Sequence, residues 1–175
     1  MRERGQAIVL IGFMGSGKSS VGRCLAEKTD LPRYDTDEMV SARAVISVAE
    51  IFAQRGEEEF RALETDVLRQ LPEGPAIIVT GGGIVLRPPN MQILRRLGTV
   101  VNLMADEATL FERVSLSGTR PLLKTENPRA TLAELLHIRE PLYRAAADFV
   151  VDTSRLRYEE VADLILHLRT ETDDG

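Results

Sequence analysis

The stretch "GFMGSGKSS", Gly12 to Ser20, follows the short apolar run "AIVLI", Ala7 to Ile11. It carries the pattern G-x-x-x-x-G-K-[ST], with Gly12, Gly17, Lys18 and Ser19 in the four fixed places. An apolar run before it and a helical pattern after it predict a strand, a phosphate-cradling loop and a helix. Gly12, Gly15 and Gly17 permit backbone angles and a close approach that side chains forbid. The loop's N–H groups and the positive end of the following helix then face phosphate. Lys18 reaches the β and γ phosphates, and the Ser19 hydroxyl reaches Mg²⁺. The nucleotide-binding set is therefore Gly15, Ser16, Gly17, Lys18, Ser19 and Ser20. The pattern predicts a nucleoside triphosphate as ligand without saying whether the chain switches, powers a partner or passes the phosphate on.

Working outward, apolar runs alternate with helical patterns. Strands are expected at Ala7–Ile11, in a short run ending near Asp35, and at Ala76–Thr80, Val100–Leu103 and Phe149–Val151. They are short, rich in Val and Ile and not alternating, as strands buried on both faces are. Helices are expected at Lys18–Thr29, Ser47–Leu71 with a break near Gly56, Asn90–Leu97, Asp106–Ser115, Ala130–Ala146 and Tyr158–Leu168. That alternation predicts an α/β fold, three layers with a five-stranded parallel sheet between helices. The 175 residues suit one domain, residues 1–175, with an acidic tail "TETDDG" expected to fray.

A hydrophobic share of 43% and a charged share of 28% are those of a soluble globular protein. No apolar run approaches the ~18 residues of a membrane span, and too few apolar residues follow "MRERGQ" for a signal sequence. A cytoplasmic monomer without a membrane partner is expected. The net charge of −5 and the scattered Lys and Arg argue against nucleic acid. The single Cys24 reads as a small buried hydrophobe.

Ligands of such sheets bind at the carboxyl ends of strands. After the second strand stands "YDTD". In an extended chain Asp35 and Asp37 point to one side, where two carboxylates repel unless a metal, a hydroxyl or a proton uses them. The bland reading is that Asp37 caps the next helix. After the third strand, Gly81, Gly82 and Gly83 strip the ligand edge of side chains, so backbone N–H groups can touch a substrate; a plain flexible loop is the alternative.

Arg61 lies in "FRALE", beside an apolar stripe of Phe60, Leu63, Val67 and Leu71, with Glu64 near enough to orient it. Arg139 falls among Leu132, Leu135, Leu136, Leu142 and Tyr143, in the middle of an apolar face. A buried charge there demands an anion, either an internal carboxylate or a ligand. Pro141 should kink that helix. The connection "SLSGTRPLLKTEN", Ser115 to Asn127, is long enough for a lid and carries Arg120, which can swing onto a transferring phosphoryl. Arg113, on the preceding helix, can flank a nucleotide base or simply be solvated.

Together "GFMGSGKSS", "DTD", "FRALE", "GGG", "GTRPLL" and "REPLYR" resemble shikimate kinase, from about residue 7 to about residue 169 and in the family's order and spacing. The resemblance implies a P-loop fold like that of nucleoside monophosphate kinases, with a lid. It implies transfer of the γ-phosphoryl of MgATP to the 3-hydroxyl of shikimate, in the pathway to the aromatic amino acids. By the same resemblance Lys18, Asp35 and Arg120 are the catalytic residues. Ser19 and Asp35 serve Mg²⁺, and Arg113 and Arg120 flank the nucleotide. Asp37, Phe52, Phe60, Arg61, Gly81, Gly82, Gly83 and Arg139 hold the acceptor, with the two arginines on its carboxylate.

One departure stands out. The family's usual Thr-Gly pair is replaced by Ala44 and Val45 in "ARAVISVAEIF". Valine resists positive φ, so a turn of different shape is expected there. Two other readings remain open on the residues alone: a kinase of another small acceptor, gluconate-like or a nucleoside monophosphate, and a non-catalytic nucleotide switch. No base-specificity sequence of the "NKxD" kind supports the latter.

Overall fold

The structure, a computed structural model, describes residues 5–117 and 121–173. Five parallel strands form one sheet in the order β2-β3-β1-β4-β5: β1 Ala7–Gly12, β2 Arg33–Asp35, β3 Ile77–Val79, β4 Gly98–Met104 and β5 Phe149–Asp152. The helices are α1 Lys18–Thr29, α2 Thr36–Ala44, α3 Val48–Gln70, α4 Pro88–Leu97, α5 Glu107–Leu116, α6 Pro128–Ala146 and α7 Tyr158–Asp173. The chain leaves β1 toward one edge and later passes back to the other. The crevice at the carboxyl end of β1 is thus the switch point of the sheet.

The apolar strands work on both faces. Ala7, Val9 and Ile11 join Ile78, Leu68 and Leu94 on the side of α3–α6. Ile8 and Leu10 join Val79, Val21, Leu25 and Ile165 on the side of α1 and α7. Cys24 is buried in that second layer, as a hydrophobe there should be, and burial raises its thiol pKa.

Most helix limits follow local signals. Ser47 caps α3 in a reciprocal box with Glu50, Asp106 caps α5 and Asn127 caps α6. Gly56, at φ 82 and ψ 171, breaks α3 where a break was expected. The break lets Phe52 fold back on Phe60, with ring centroids 4.8 Å apart. α6 continues through Pro141 as one helix. Its buried stripe runs Leu132, Arg139, Tyr143, Ala146; Leu142, assigned to that stripe by sequence, is partly exposed instead. α7 continues to Asp173, further than its pattern indicated. Among the described residues, no helix is long and apolar enough to cross a membrane.

Two local readings need correction. Asp35, not Asp37, caps the helix that follows: its Oδ1 accepts from the N–H of Asp37 at 3.0 Å and of Glu38 at 3.3 Å. The extended dipeptide geometry ends at Asp35, because α2 begins at Thr36 and carries Asp37 in its first turn. The second concerns Val45. It does adopt the left-handed conformation, at φ 59 and ψ 21, and ends α2 as a glycine would. The turn therefore takes a left-handed form despite the valine and carries the strain of a β-branched residue at positive φ.

Val45 is 85% exposed, so its side chain gives back little by packing. Val45→Gly should raise stability by about 1 kcal/mol, or about 3 °C in Tm, the strain relieved exceeding the added freedom of the unfolded chain. Calorimetric melting of both proteins checks this; an equal or lower Tm for the glycine variant would show the turn to be unstrained.

Candidate functional site

At the carboxyl end of β1 the chain turns through the Gly12–Ser20 loop into α1. Gly17 stands at the helix N-cap with φ 95, which only glycine adopts cheaply. The first-turn N–H groups of α1 have no intrahelical acceptors and face the cleft. Lys18 is buried, and its Nζ donates to the carbonyls of Gly12 at 2.8 Å and Phe13 at 2.9 Å. A cleft of about 600 Å³ opens here, lined by the loop residues Gly15 to Ser20 and by Asp35, Asp37, Arg113, Thr153 and Tyr158.

Thr153, just beyond β5, ties this cleft together and was not foreseen. Its hydroxyl donates to the Ser16 carbonyl at 3.0 Å. It also accepts from Arg113 Nη1 at 3.0 Å, while Arg113 Nη2 donates to the Thr153 carbonyl at 2.7 Å. Arg113 is thus pinned at the cleft wall and is not a free surface side chain.

Ser19, exposed on the first turn of α1, and Asp35 both line this cleft. Both offer oxygen, the donor type magnesium takes. Asp35 is already engaged, through Oδ1 in the α2 cap and Oδ2 on Arg33 at 3.3 Å. No cluster of three or more His, Cys, Asp or Glu occurs among the described residues. Such a sparse set fits a hard cation that draws most of its ligands from phosphate and water.

Beside the cleft lies a second cavity, of about 90 Å³, lined by Asp37, Phe52, Phe60, Arg61, Glu64, Gly82, Gly83 and Arg139, with Pro121 and Leu122 over it. Sequence residues from four distant segments meet here. Arg139 is 3% exposed and lies over the Phe13 ring at 6.0 Å. It forms no ion pair among the described residues, and the internal carboxylate that acts on it, Glu64, does so through its field and not through direct contact. Arg61, 6% exposed, lies over the Phe60 ring at 5.1 Å and pairs with Glu57 at 3.0 Å and Glu64 at 2.6 Å.

Glu64 is fully buried, and burial outweighs the Arg61 charge and pushes its pKa up to about 7. Burial likewise raises Tyr143 to about 12. The Tyr143 hydroxyl donates to the Gly82 carbonyl. Glu64 and Tyr143 are parts of the site that the sequence reading left out of its site residues.

Gly81 and Gly83 are packed too closely for a side chain, whereas a Cβ on Gly82 would lie 3.4 Å from its nearest neighbour, the Met14 nitrogen. A Cβ on Gly81 would lie 2.5 Å from Glu64 Oε1 and 2.6 Å from Asp37 Oδ1; one on Gly83 would lie 2.1 Å from Arg61 Cζ. The Gly81 N–H already donates to Thr36 Oγ1 at 3.0 Å, so of the three glycines Gly82 and Gly83 are the ones that line the cavity. Arg120 lies outside the described residues.

Comparison with known proteins agrees with this geometry. The family model described as shikimate kinase matches residues 14–169. The shikimate kinase of Thermodesulfovibrio yellowstonii is 44% identical over 160 residues, covering 91% of this chain and 92% of that protein. That of Ralstonia nicotianae is 43% identical over 160 residues, covering 91% and 84%. The solved shikimate kinase from Acinetobacter baumannii, in complex with shikimate, superposes with a TM-score of 0.90 at 35% identity, covering 98% of this chain and 96% of that one.

Gly83→Ala should displace the Arg61 guanidinium and weaken a carboxylate ligand of the smaller cavity about tenfold or more, the worth of ~1.4 kcal/mol. Nucleotide affinity should stay within about twofold. Titration calorimetry with each ligand separates the two; equal losses for both would mean that the substitution loosens the whole sheet edge.

Proposed function

The chain belongs to the shikimate kinase family and is an ATP-dependent kinase of shikimate, and on that premise we propose how its residues divide the reaction. ATP occupies the 600 Å³ cleft and shikimate the adjoining 90 Å³ cavity. The oxygen of the acceptor's 3-hydroxyl attacks the γ-phosphorus, the bond to the β,γ-bridging oxygen breaks, and ADP leaves. The hydroxyl proton passes to Asp35 or through it to water.

The observation that carries the acceptor assignment is Arg139: a guanidinium 3% exposed, on an apolar stripe, without an ion pair among the described residues. A charge so placed calls for a ligand anion, and a carboxylate matches the guanidinium fork. Arg61 closes on the same group from α3. Asp37 in the first turn of α2 accepts from ring hydroxyls, and Phe52 and Phe60 wall the ring.

Transfer of a phosphoryl asks mainly for alignment and charge neutralisation. Lys18, held by two loop carbonyls at 2.8 and 2.9 Å, needs only to turn to meet the β and γ phosphates. Arg113, pinned by Thr153, bounds the base. Arg120 adds a further positive charge at the moving group. Mg²⁺, held by Ser19 with Asp35 behind it, would offset phosphate charge when bound.

ADP release in a coupled assay with MgATP should depend on shikimate and not on gluconate, AMP or CMP. Arg139→Ala should raise the KM for shikimate by about thirtyfold or more, the lower end of what truncating one member of a buried charge pair costs, with the KM for ATP nearly unchanged. An equal rise in both constants would remove Arg139 from the acceptor site, and turnover driven by another acceptor would overturn the assignment of shikimate.

A further inference from the structure

Glu64 holds a place in the acceptor cavity that its pairing with Arg61 does not fully explain. The residue is 0% exposed. Oε2 accepts from Arg61 Nη1 at 2.6 Å. Among the described residues Oε1 is buried without a hydrogen-bond partner, and it points at the gap between Gly81 and Asp37, where a Cβ on Gly81 would lie 2.5 Å from it. A fully ionised carboxylate is poorly served by one donor and one bare buried oxygen. A protonated one has an O–H to offer at that oxygen.

The charges around the cavity give the protonation a cause. Arg61 and Glu57 face Glu64 from its own helix, Asp37 from α2, and Arg139 and the neutral Tyr143 from α6. Glu57 is partly exposed and screened by water. Within the enclosure, two guanidinium groups balance two carboxylates. A carboxylate-bearing acceptor adds a third negative charge to a space that also loses water. One carboxylate must then become neutral, and an acceptor acid seated on both arginines is the group least inclined to do so.

We propose that Glu64 takes up a proton as the acceptor carboxylate enters the cavity, freeing Arg61 to turn its fork onto the acceptor. The proton comes from solvent and forms an O–H bond at Oε1, from which it is donated toward the Asp37 carboxylate. Glu64 is thereby a positioning residue acting through Arg61. The inference rests on the assignment of shikimate to this cavity.

Burial already pushes Glu64 up to about 7, so it titrates within reach of neutral pH before any ligand arrives. Acceptor binding raises it further, so binding takes up a fraction of a proton that grows from pH 7 to pH 8. The sign follows: acceptor affinity is greatest in mild acid and falls as pH rises past 7, by up to about tenfold per unit. The acceptor's own carboxylate, with an ordinary acid pKa, stays ionised throughout.

The test is titration calorimetry of the full chain with shikimate at pH 7 and 8, in two buffers of different ionisation enthalpy, repeated with Glu64→Gln. Glutamine has the shape of the protonated acid and can still accept from Arg61. The wild type should show proton uptake that grows from pH 7 to pH 8. The variant should show none, and its KM for shikimate should be flat from pH 6.5 to 8.5. Shikimate binding without proton uptake in the wild type, a measurement that needs no variant, overturns the inference alone. Uptake that persists in Glu64→Gln also overturns it, by placing the proton elsewhere. Failure of shikimate to bind or turn over at any of these pH values overturns the acceptor assignment together with it.

Discussion

Two guanidinium groups are held inside an apolar helical layer, and the acceptor half of the molecule is arranged around the cost of keeping them there. Arg61 and Arg139 are 6% and 3% exposed. A guanidinium so enclosed costs several kcal/mol unless it is matched. Arg61 is matched internally by Glu57 and Glu64 and by two phenylalanine rings. Among the described residues Arg139 has the Phe13 ring, the Tyr143 hydroxyl beside it and the field of Glu64. In the proposed acceptor site this asymmetry favours an anionic ligand: one arginine is already matched, and the other gains most from an anion.

The nucleotide half solves a different problem. Here the negative charge comes with the ligand, and the protein answers with backbone N–H groups, a helix end and Lys18. What has to be fixed is the loop itself. Thr153 does this with one hydroxyl, joining the Ser16 carbonyl, the Met104 carbonyl and Arg113. The loop after β5 therefore holds the loop after β1, although 137 residues separate Ser16 from Thr153.

What the sequence showed and what it hid divide along contact range. The Gly12–Ser20 loop, the five strands and the break at Gly56 rest on local pattern, and they stand where the pattern put them. Arg139 was legible because a charge on an apolar stripe violates the pattern. Tyr143 and Thr153 carried no such mark, because their roles depend on partners far along the chain; Glu64 was legible as the group that orients Arg61, and only its full burial was hidden. The α2 helix was only half seen. Its cap uses Asp35, and the side-by-side geometry expected of Asp35 and Asp37 fails because the helix begins between them. Val45 was read correctly as out of place, yet the surrounding turn overrode its preference.

That first turn of α2 is where the two halves are brought into register. Asp35 caps it from β2 and faces the nucleotide cleft. Thr36, buried behind it, accepts from the Gly81 N–H and so fixes the loop that carries Gly82 and Gly83. Asp37 lines both cavities, as do Met14 and Gly82. These three residues mark the passage between the spaces, where the proposed phosphoryl transfer would cross. A displacement of α2 would move a cap, a glycine loop and the Asp37 carboxylate together, keeping their mutual geometry while changing their distance from the phosphate loop. Alignment of donor and acceptor thus depends on how a single helical turn sits against β2 and β3, more than on the length of any one side chain.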